Sequence, residues 1–455
     1  MQDWRSIGSF ADVPAGGSFR IVNARVPADL APALQSPQSA NKIVDCEIII
    51  HNGKIAFAGP AFDAPEASGL PVFDLRNGIV LPRFVEVHTH IDKSHIWPRI
   101  QNENGTTVGA RVAIEGDRNR NWTPEDVRER MEFSLKCAYA HGTGALRTHI
   151  DSYGKQTNIS FPVFSEVRQE WKDRIRLQAV ALFPTQICVT DEEQFRQIAD
   201  AVEKHDGIMG GVTAPGGFMA ATVDLELDRV FGMAKARGFE IDFHVDETID
   251  GSVRSIEHIA DAAIRHKFGG RILLGHCCSL SYMPEDVFRR IALKLAEAGC
   301  SVVSLPMVNM YLQDRKDGRT PRFRGVAPLH ELEDYGVKVM VSSDNTRDPY
   351  HAYGDLDMLE VFREATHILH FDYSDRPWMR QFGAAQAEQM GMVDKGIISA
   401  GLPADLVITR ARTFEELLTR PQSDRIVLVN GLQIDTSLPD FADLDHLHKH
   451  ARVAV

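Results

Sequence analysis

The chain has 455 residues, 44% hydrophobic and 25% charged, which is ordinary globular material with ample length for a large core. Its net charge is 50 − 63 = −13, which disfavours a nucleic-acid backbone as partner and fits an enzyme acting on small, uncharged or weakly charged molecules. Six cysteines at 46, 137, 188, 277, 278 and 300 form no CxxC pair, so a disulfide framework is not expected in a chain this long.

The start, "MQDWRSIGSFADVPAGG", lacks the basic-then-apolar pattern of a signal peptide. No stretch approaches 18 consecutive apolar residues, so neither a transmembrane helix nor a membrane partner is expected. A cytoplasmic location is the expectation that follows. Residues 20 to 80 read as short strands and turns, "FRIVNARV" and then "DCEIIIHNGKIAFAGP" with an Asn-Gly turn.

From residue 83 onward, short β-type runs alternate with amphipathic segments. The runs are "FVEVH" (84–88), "ALRTHI" (145–150), "RLQAVALF" (176–183), "IMGGVTA" (208–214), "FEIDFH" (239–244), "RILLGH" (271–276), "SVVSLP" (301–306) and "VKVMVSS" (337–343). Between them lie helix-type stretches such as "TPEDVRERMEFSLKCAYAHG" (123–142), with Thr123 as N-cap and Gly142 as stop. Eight strands in βα alternation over about 260 residues predict an α/β fold, a (β/α)8 TIM-like barrel. An open doubly wound sheet is the alternative, but the glycine-rich GxGxxG turn is missing after the first run, where "HTHID" stands.

Near the C-terminus, "ADLVITR" (404–410) and "DRIVLVNGLQI" (424–434) are β-like again. Both chain ends are expected to meet as a small β-sandwich domain. The boundaries expected are 1–80 and 396–455 for that domain and 81–395 for the barrel. The final "DLDHLHKHARVAV" reads as a solvated tail.

A barrel of this type carries its active site at the C-terminal ends of its strands. His88 and His90 share one face of the first strand end, because alternate side chains of a strand point the same way. A bare HxH fits a loop mouth as well as a metal grip. The second run ends in His149 and Asp151, the fifth leads to His244 and Glu247, the sixth ends in His276 and the eighth leads to Asp344. So many ligand-type residues at one rim predict a catalytic metal site with imidazole and carboxylate donors. Glu247, three residues after His244, is placed for proton transfer rather than ligation.

"LPRFVEVHTHID", "RTHID", "HVDE", the "GH" of the sixth run, "SLPMVNMYLQDR" and "SSDNTRDPY" occur in this order. The ordered set resembles the amidohydrolase superfamily, and within it the cytosine deaminase-like branch, whose relatives act on cytosine, isoguanine, pterins and triazines. The resemblance runs from about residue 20 to "GLPADLVI". It implies one divalent metal ion, Zn²⁺ or Fe²⁺ with Mn²⁺ possible, held by His88, His90, His244 and Asp344. It further implies that Glu247 protonates the ring nitrogen beside the attacked carbon. His276, with Asp344, takes a proton from the metal-bound water, and ammonia leaves. The fourth run ends "GGVTAPGG", without the lysine of two-metal members.

The chain departs from the cytosine pattern at three positions. Thr185 follows Phe183-Pro184 where cytosine deaminase has a glutamine, with Gln186 one step later. Asn345 and Tyr350 stand where it has an aspartate and a tryptophan. Asn345 offers a donor as well as an acceptor where an aspartate only accepts. Phe183, Thr185, Gln186, Asn345, Tyr350 and His149 are therefore the expected substrate contacts. An enlarged site that attacks an amino-pyrimidine edge suits a fused ring, and a pterin is the leading expectation. Cytosine or a substituted cytosine is the next, and hydrolysis of a cyclic amide, of imidazolone or hydantoin type, is a further one. The segment 92–123 reads as a long loop and possible lid, and a homo-oligomer is expected.

Overall fold

The computed structural model describes residues 10–448 except 37, 38, 40, 41, 68, 215, 216, 374 and 375. The described residues divide into two compact units. One comprises those within Met1–Glu86, Cys137–Ala145 and Asp357–Leu438. The other comprises those within Val87–Lys136, Leu146–Leu356 and Pro439–Val455.

The eight predicted runs form strands β1 (Phe84–Thr89), β2 (Thr143–Asp151), β3 (Arg176–Leu182), β4 (Met209–Val212), β5 (Ile241–Val245), β6 (Ile272–His276), β7 (Cys300–Ser304) and β8 (Lys338–Val341). β1, β2 and β3 are neighbours in one sheet, and β4 to β8 follow in chain order in a second, all-parallel sheet. Parallel bridges Val180–Ile208 and Pro184–Val212 join β3 to β4. A further parallel bridge, Thr89–Asp344, joins the end of β1 to the end of β8 and closes the ring. The result is the expected (β/α)8 barrel. Several strands read as largely apolar runs because helices cover one face and side chains fill the other. Ile272, Leu273 and Leu274 of β6 are all buried.

Helices fill the connections, among them Glu192–Lys204, Ser255–His266 and Glu285–Glu297. The second half of the segment expected as a loop at 92–123 is a helix, Thr107–Asn121, capped by Thr106, whose side chain accepts from Gly109 N. Its polar composition, with Gly109 and Gly116 inside it, hides the apolar period on which sequence reading depends.

The β-rich unit is a two-sheet sandwich, as expected. One antiparallel sheet is built on Phe19–Pro27, Ile43–His51 and Lys54–Gly59, with Val72–Asp74 added in parallel; the other is built from Val80–Pro82, Leu406–Ile408, Ile426–Val429 and Leu432–Gln433. Phe19, Ile21, Ile48 and Ile50 of the first sheet share one core with Val80, Leu406, Ile408 and Leu428 of the second. Both Asn-Gly turns adopt the left-handed geometry such hairpins need, with Asn52 at φ 51° and Asn430 at φ 49°. A Cβ on Gly53 would lie 2.6 Å from Asn430 O, so the two turns require glycine there.

Candidate active site

The predicted metal residues His88, His90, His244 and Asp344 converge at the C-terminal ends of β1, β5 and β8, joined by His276 at the end of β6. His88 Nε2 lies 3.6 Å and His90 Nε2 3.1 Å from Asp344 Oδ1. His90 Nε2 is 3.0 Å from His244 Nε2. One ligand atom from each of His88, His244, His276 and Asp344 falls within a sphere where all are within 4.8 Å of one another. All five side chains are buried. His276 (φ 70°) and Asp344 (φ 68°) leave their strands in the left-handed region, a backbone strain of about 1–3 kcal/mol each that typically marks functional positions.

A cation fits this group. His88 Nε2, His276 Nε2 and both Asp344 oxygens are buried without a hydrogen-bond partner, whereas buried polar atoms are ordinarily paired. Burial pushes the imidazoles of His88, His90 and His244 well below their ordinary value, so each is neutral, the form that ligates. Burial raises the Asp344 carboxyl to about 6, against the opposing pull of His276. The buried His/Asp group can hold one metal ion.

Glu247 and His276 flank the group. His276 Nδ1 is 4.0 Å from Asp344 Oδ2 and 3.9 Å from Glu247 Oε1. Burial, and then the charge of Asp344, push the Glu247 carboxyl well above its ordinary value. His276 is pushed down to about 3 by burial. Asn309, on the helix Pro306–Leu312 after β7, sits with Nδ2 2.9 Å from His276 Nδ1. Sequence reading singled out its stretch, "SLPMVNMYLQDR", without assigning Asn309 a place.

A cavity of about 530 Å³ opens above the cluster, lined by His90, His244, Glu247 and His276 and by three of the expected substrate contacts, Phe183, Asn345 and Tyr350. Asn345 is held from behind, Nδ2 donating to Asp348 Oδ2 at 2.6 Å. The other three expected contacts lie off the cavity wall. Thr185 turns away because its hydroxyl donates to the buried Glu226 carboxylate at 2.5 Å. Gln186 opens the short helix Ile187–Thr190 beside it. His149 is buried behind His88, its Nε2 3.1 Å from His88 Nδ1.

The wall also carries a charged group of which sequence reading named only Asp151, as a ligand-type residue at the rim. Lys93 Nζ donates to Asp151 Oδ1 at 3.0 Å and Arg118 Nη1 to Asp151 Oδ2 at 2.7 Å, while Arg118 lies over the Tyr153 ring at 4.2 Å. Lys93, Arg118, Asp151 and Tyr153 all face the cavity. Alternation along "RTHID" could have placed Asp151 on the same strand face as His149.

The amidohydrolase family model matches residues 136–434. The chain belongs to the amidohydrolase family. This amidohydrolase is 48% identical over 437 residues to a pterin deaminase of Rhizobium rhizogenes, covering 96% of the chain and 98% of that protein. It is 24% identical over 371 residues to N-isopropylammelide isopropyl amidohydrolase of a Pseudomonas species, covering 79% of the chain and 86% of that protein. Its fold matches that of 5-methylcytosine deaminase from Klebsiella pneumoniae with 5-fluorocytosine bound. The TM-score is 0.79 at 23% identity, over 93% of this chain and 98% of that one. Among the described residues of this amidohydrolase, no helix is long and apolar enough to cross a membrane.

Proposed function

We propose that this amidohydrolase hydrolytically deaminates an amino-substituted heterocycle with the help of one divalent metal ion, and that its substrate is a pterin. The observation that carries the reading is the orphaned His/Asp cluster under a cavity of about 530 Å³, within the usual range for small-molecule sites and roomy enough for a fused ring. The 48% identity to a pterin deaminase over nearly the whole chain supports the pterin. So do Asn345 and Tyr350 on the cavity wall, the positions where the chain departs from the cytosine pattern.

His88, His90, His244 and Asp344 would hold the ion, with donors that suit Zn²⁺ or Fe²⁺ and accept Mn²⁺. The ion supplies Lewis acidity, which brings the pKa of a water at the site towards 7. Phe183 and Tyr350 flank the planar ring, and Asn345, fixed by Asp348, presents its amide to the ring edge. Glu247, kept protonated by burial, donates its hydrogen to the ring nitrogen beside the amine-bearing carbon. That carbon then accepts the oxygen of water. His276, neutral and within 4.0 Å of Asp344, takes the proton the water gives up. His276 passes that proton to the amine, which leaves as ammonia, and the hydroxyl proton goes to Glu247, so the carbon keeps the oxygen as a carbonyl.

The test is ammonia release by purified, metal-loaded protein from pterins, cytosines, isoguanine, guanine and aminotriazines. Ammonia from pterins and little from cytosine is the expected result. Ammonia from cytosine alone would overturn the substrate, and ring opening of a cyclic amide without ammonia would overturn the reaction.

A further inference from the structure

The residues behind His88 form a connected set that the proposed chemistry does not use. His149 Nε2 lies 3.1 Å from His88 Nδ1 and 3.4 Å from Asp242 Oδ1. Arg147 Nη1 donates to Asp242 Oδ2 at 2.9 Å, and its Nε and Nη2 donate to Gln178 Oε1 at 3.0 and 2.9 Å. His88, Arg147, His149 and Asp242 are each 0% exposed, and His149 and Asp242 are off the cavity wall. The set crosses four strands: Arg147 and His149 share one face of β2, Gln178 comes from β3, Asp242 from β5 and His88 from β1.

We propose that His149, packed beside the Asp242–Arg147 pair, is the positioning residue that fixes His88 for metal binding. The proposal rests on the reading that His88 is a metal ligand. His88 turns Nε2 towards Asp344, and Nε2 has no hydrogen-bond partner. A neutral imidazole that ligates through Nε2 carries its hydrogen on Nδ1. In a dry site that hydrogen needs an acceptor, and a fixed acceptor sets both tautomer and ring angle. His149 Nε2 stands at hydrogen-bond distance to be that acceptor. The other side of the ring is fixed by backbone, since a Cβ on Gly275 would lie 2.8 Å from His88 Cε1. The ring is therefore clamped between a glycine of β6 and His149.

A rival reading makes the same residues a second metal site, because ligand atoms of His88, His149 and Asp242 also lie within 4.8 Å of one another. Arg147 argues against it. Its guanidinium already neutralises Asp242 at 2.9 Å and would repel a second cation in the same low-dielectric space.

The test compares the metal-loaded wild type with His149→Leu and His149→Gln. The readouts are metal content per chain, the rate of metal transfer to a chelator, and the visible spectrum of the Co²⁺-loaded protein. The expected result is one ion per wild-type chain and a rate of loss from His149→Leu roughly 10–100-fold faster, the usual penalty for removing an outer partner of a ligand. His149→Gln, whose side-chain oxygen accepts the Nδ1 hydrogen, recovers part of the retention. Gly275→Ala drives a methyl into the His88 ring and speeds loss with His149 intact, which keeps the test open if His149→Leu does not fold. Unchanged retention and spectrum in His149→Leu, with wild type loaded, overturns this inference alone. Two ions per wild-type chain, one of them lost in His149→Leu, overturns it in favour of the second site. A wild-type chain that binds no ion overturns the metal reading itself and this inference with it.

Discussion

His276 Nδ1 stands 3.9 Å from Glu247 Oε1 at the base of the cavity. The two groups are driven in opposite senses by the same burial, the acid kept protonated and the imidazole kept neutral. Such opposed environments suit the proton donor and proton acceptor proposed for them. Glu247→Gln removes the donor and preserves shape. We expect kcat to fall by about 10²–10⁴-fold, with KM little changed and metal content intact. A carboxyl whose pKa is raised is active below that pKa. The activity of the wild type therefore falls as pH rises through it, and the residual activity of the variant lacks that limb. A pH profile of kcat/KM for both proteins checks the assignment.

Asn345→Asp restores the residue that the cytosine pattern carries. Here it replaces the amide that donates to Asp348 at 2.6 Å with a second carboxylate against the first. Burial has already raised Asp348 to about 7, with Asn345 opposing that push. Two carboxylates at that separation cannot both ionise, so one stays protonated and the wall loses the amide that position 345 now presents. We expect kcat/KM for a pterin to fall by about 10–100-fold, the usual scale for misplacing a substrate-positioning group. A gain of cytosine deamination without loss on pterins would show that position 345 selects the ring by itself.

Much of this was legible in the sequence, for reasons that differ from residue to residue. The barrel strands could be read because buried parallel strands are short, largely apolar runs between longer amphipathic segments. The buried His/Asp cluster could be read because its members lie at the ends of the runs, and a barrel brings all strand ends to one rim. Thr185 and His149 were misplaced because their directions depend on partners far along the chain. Thr185 bonds Glu226, 41 residues on, and His149 meets His88, 61 residues back. Neighbouring strands decide such pairings, and a single sequence shows only which residues share a face.

The stretch from residue 443 was expected to be a solvated tail, but in its described part Leu444 is buried and His446 pairs with Glu129; Phe441, just before it, packs on the barrel unit as well. Phe441 stacks on Phe133 with ring centroids 5.7 Å apart, and Arg347 lies over Phe441 at 4.1 Å. His448 Nε2 donates to His95 O at 3.0 Å. His95 N in turn donates to Thr346 O at 3.1 Å, and Trp97 N to Arg347 O at 2.9 Å. The stretch thus touches both the segment after β1 and the segment that carries Asn345. Phe441 is 47% exposed, so Phe441→Ala should cost little global stability. We expect faster hydrogen exchange at residues 344–351 and a lower kcat for the variant. Unchanged exchange there would mean that the stretch covers the barrel without holding it.

In the β-rich unit, Arg425 grips Asp357 with two bonds, at 2.7 and 2.6 Å. Burial alone would push the Asp357 carboxyl up, but Arg425, followed by His141, more than offsets it, and the carboxyl sits below its ordinary value. Asp357→Asn leaves the Arg425 charge buried, with side-chain exposure of only 4%, so unfolding should become easier by about 3–5 kcal/mol at neutral pH. The pH dependence has a definite sign. A carboxyl whose folded pKa is depressed binds fewer protons folded than unfolded through the interval between the two values. Its contribution is complete above the unfolded value of about 3.9 and disappears as pH falls through the folded one. Denaturant unfolding at neutral and acid pH should therefore show the gap between wild type and Asp357→Asn narrowing as the solution is acidified. A gap that stays constant would place the cost in lost packing rather than in the ion pair.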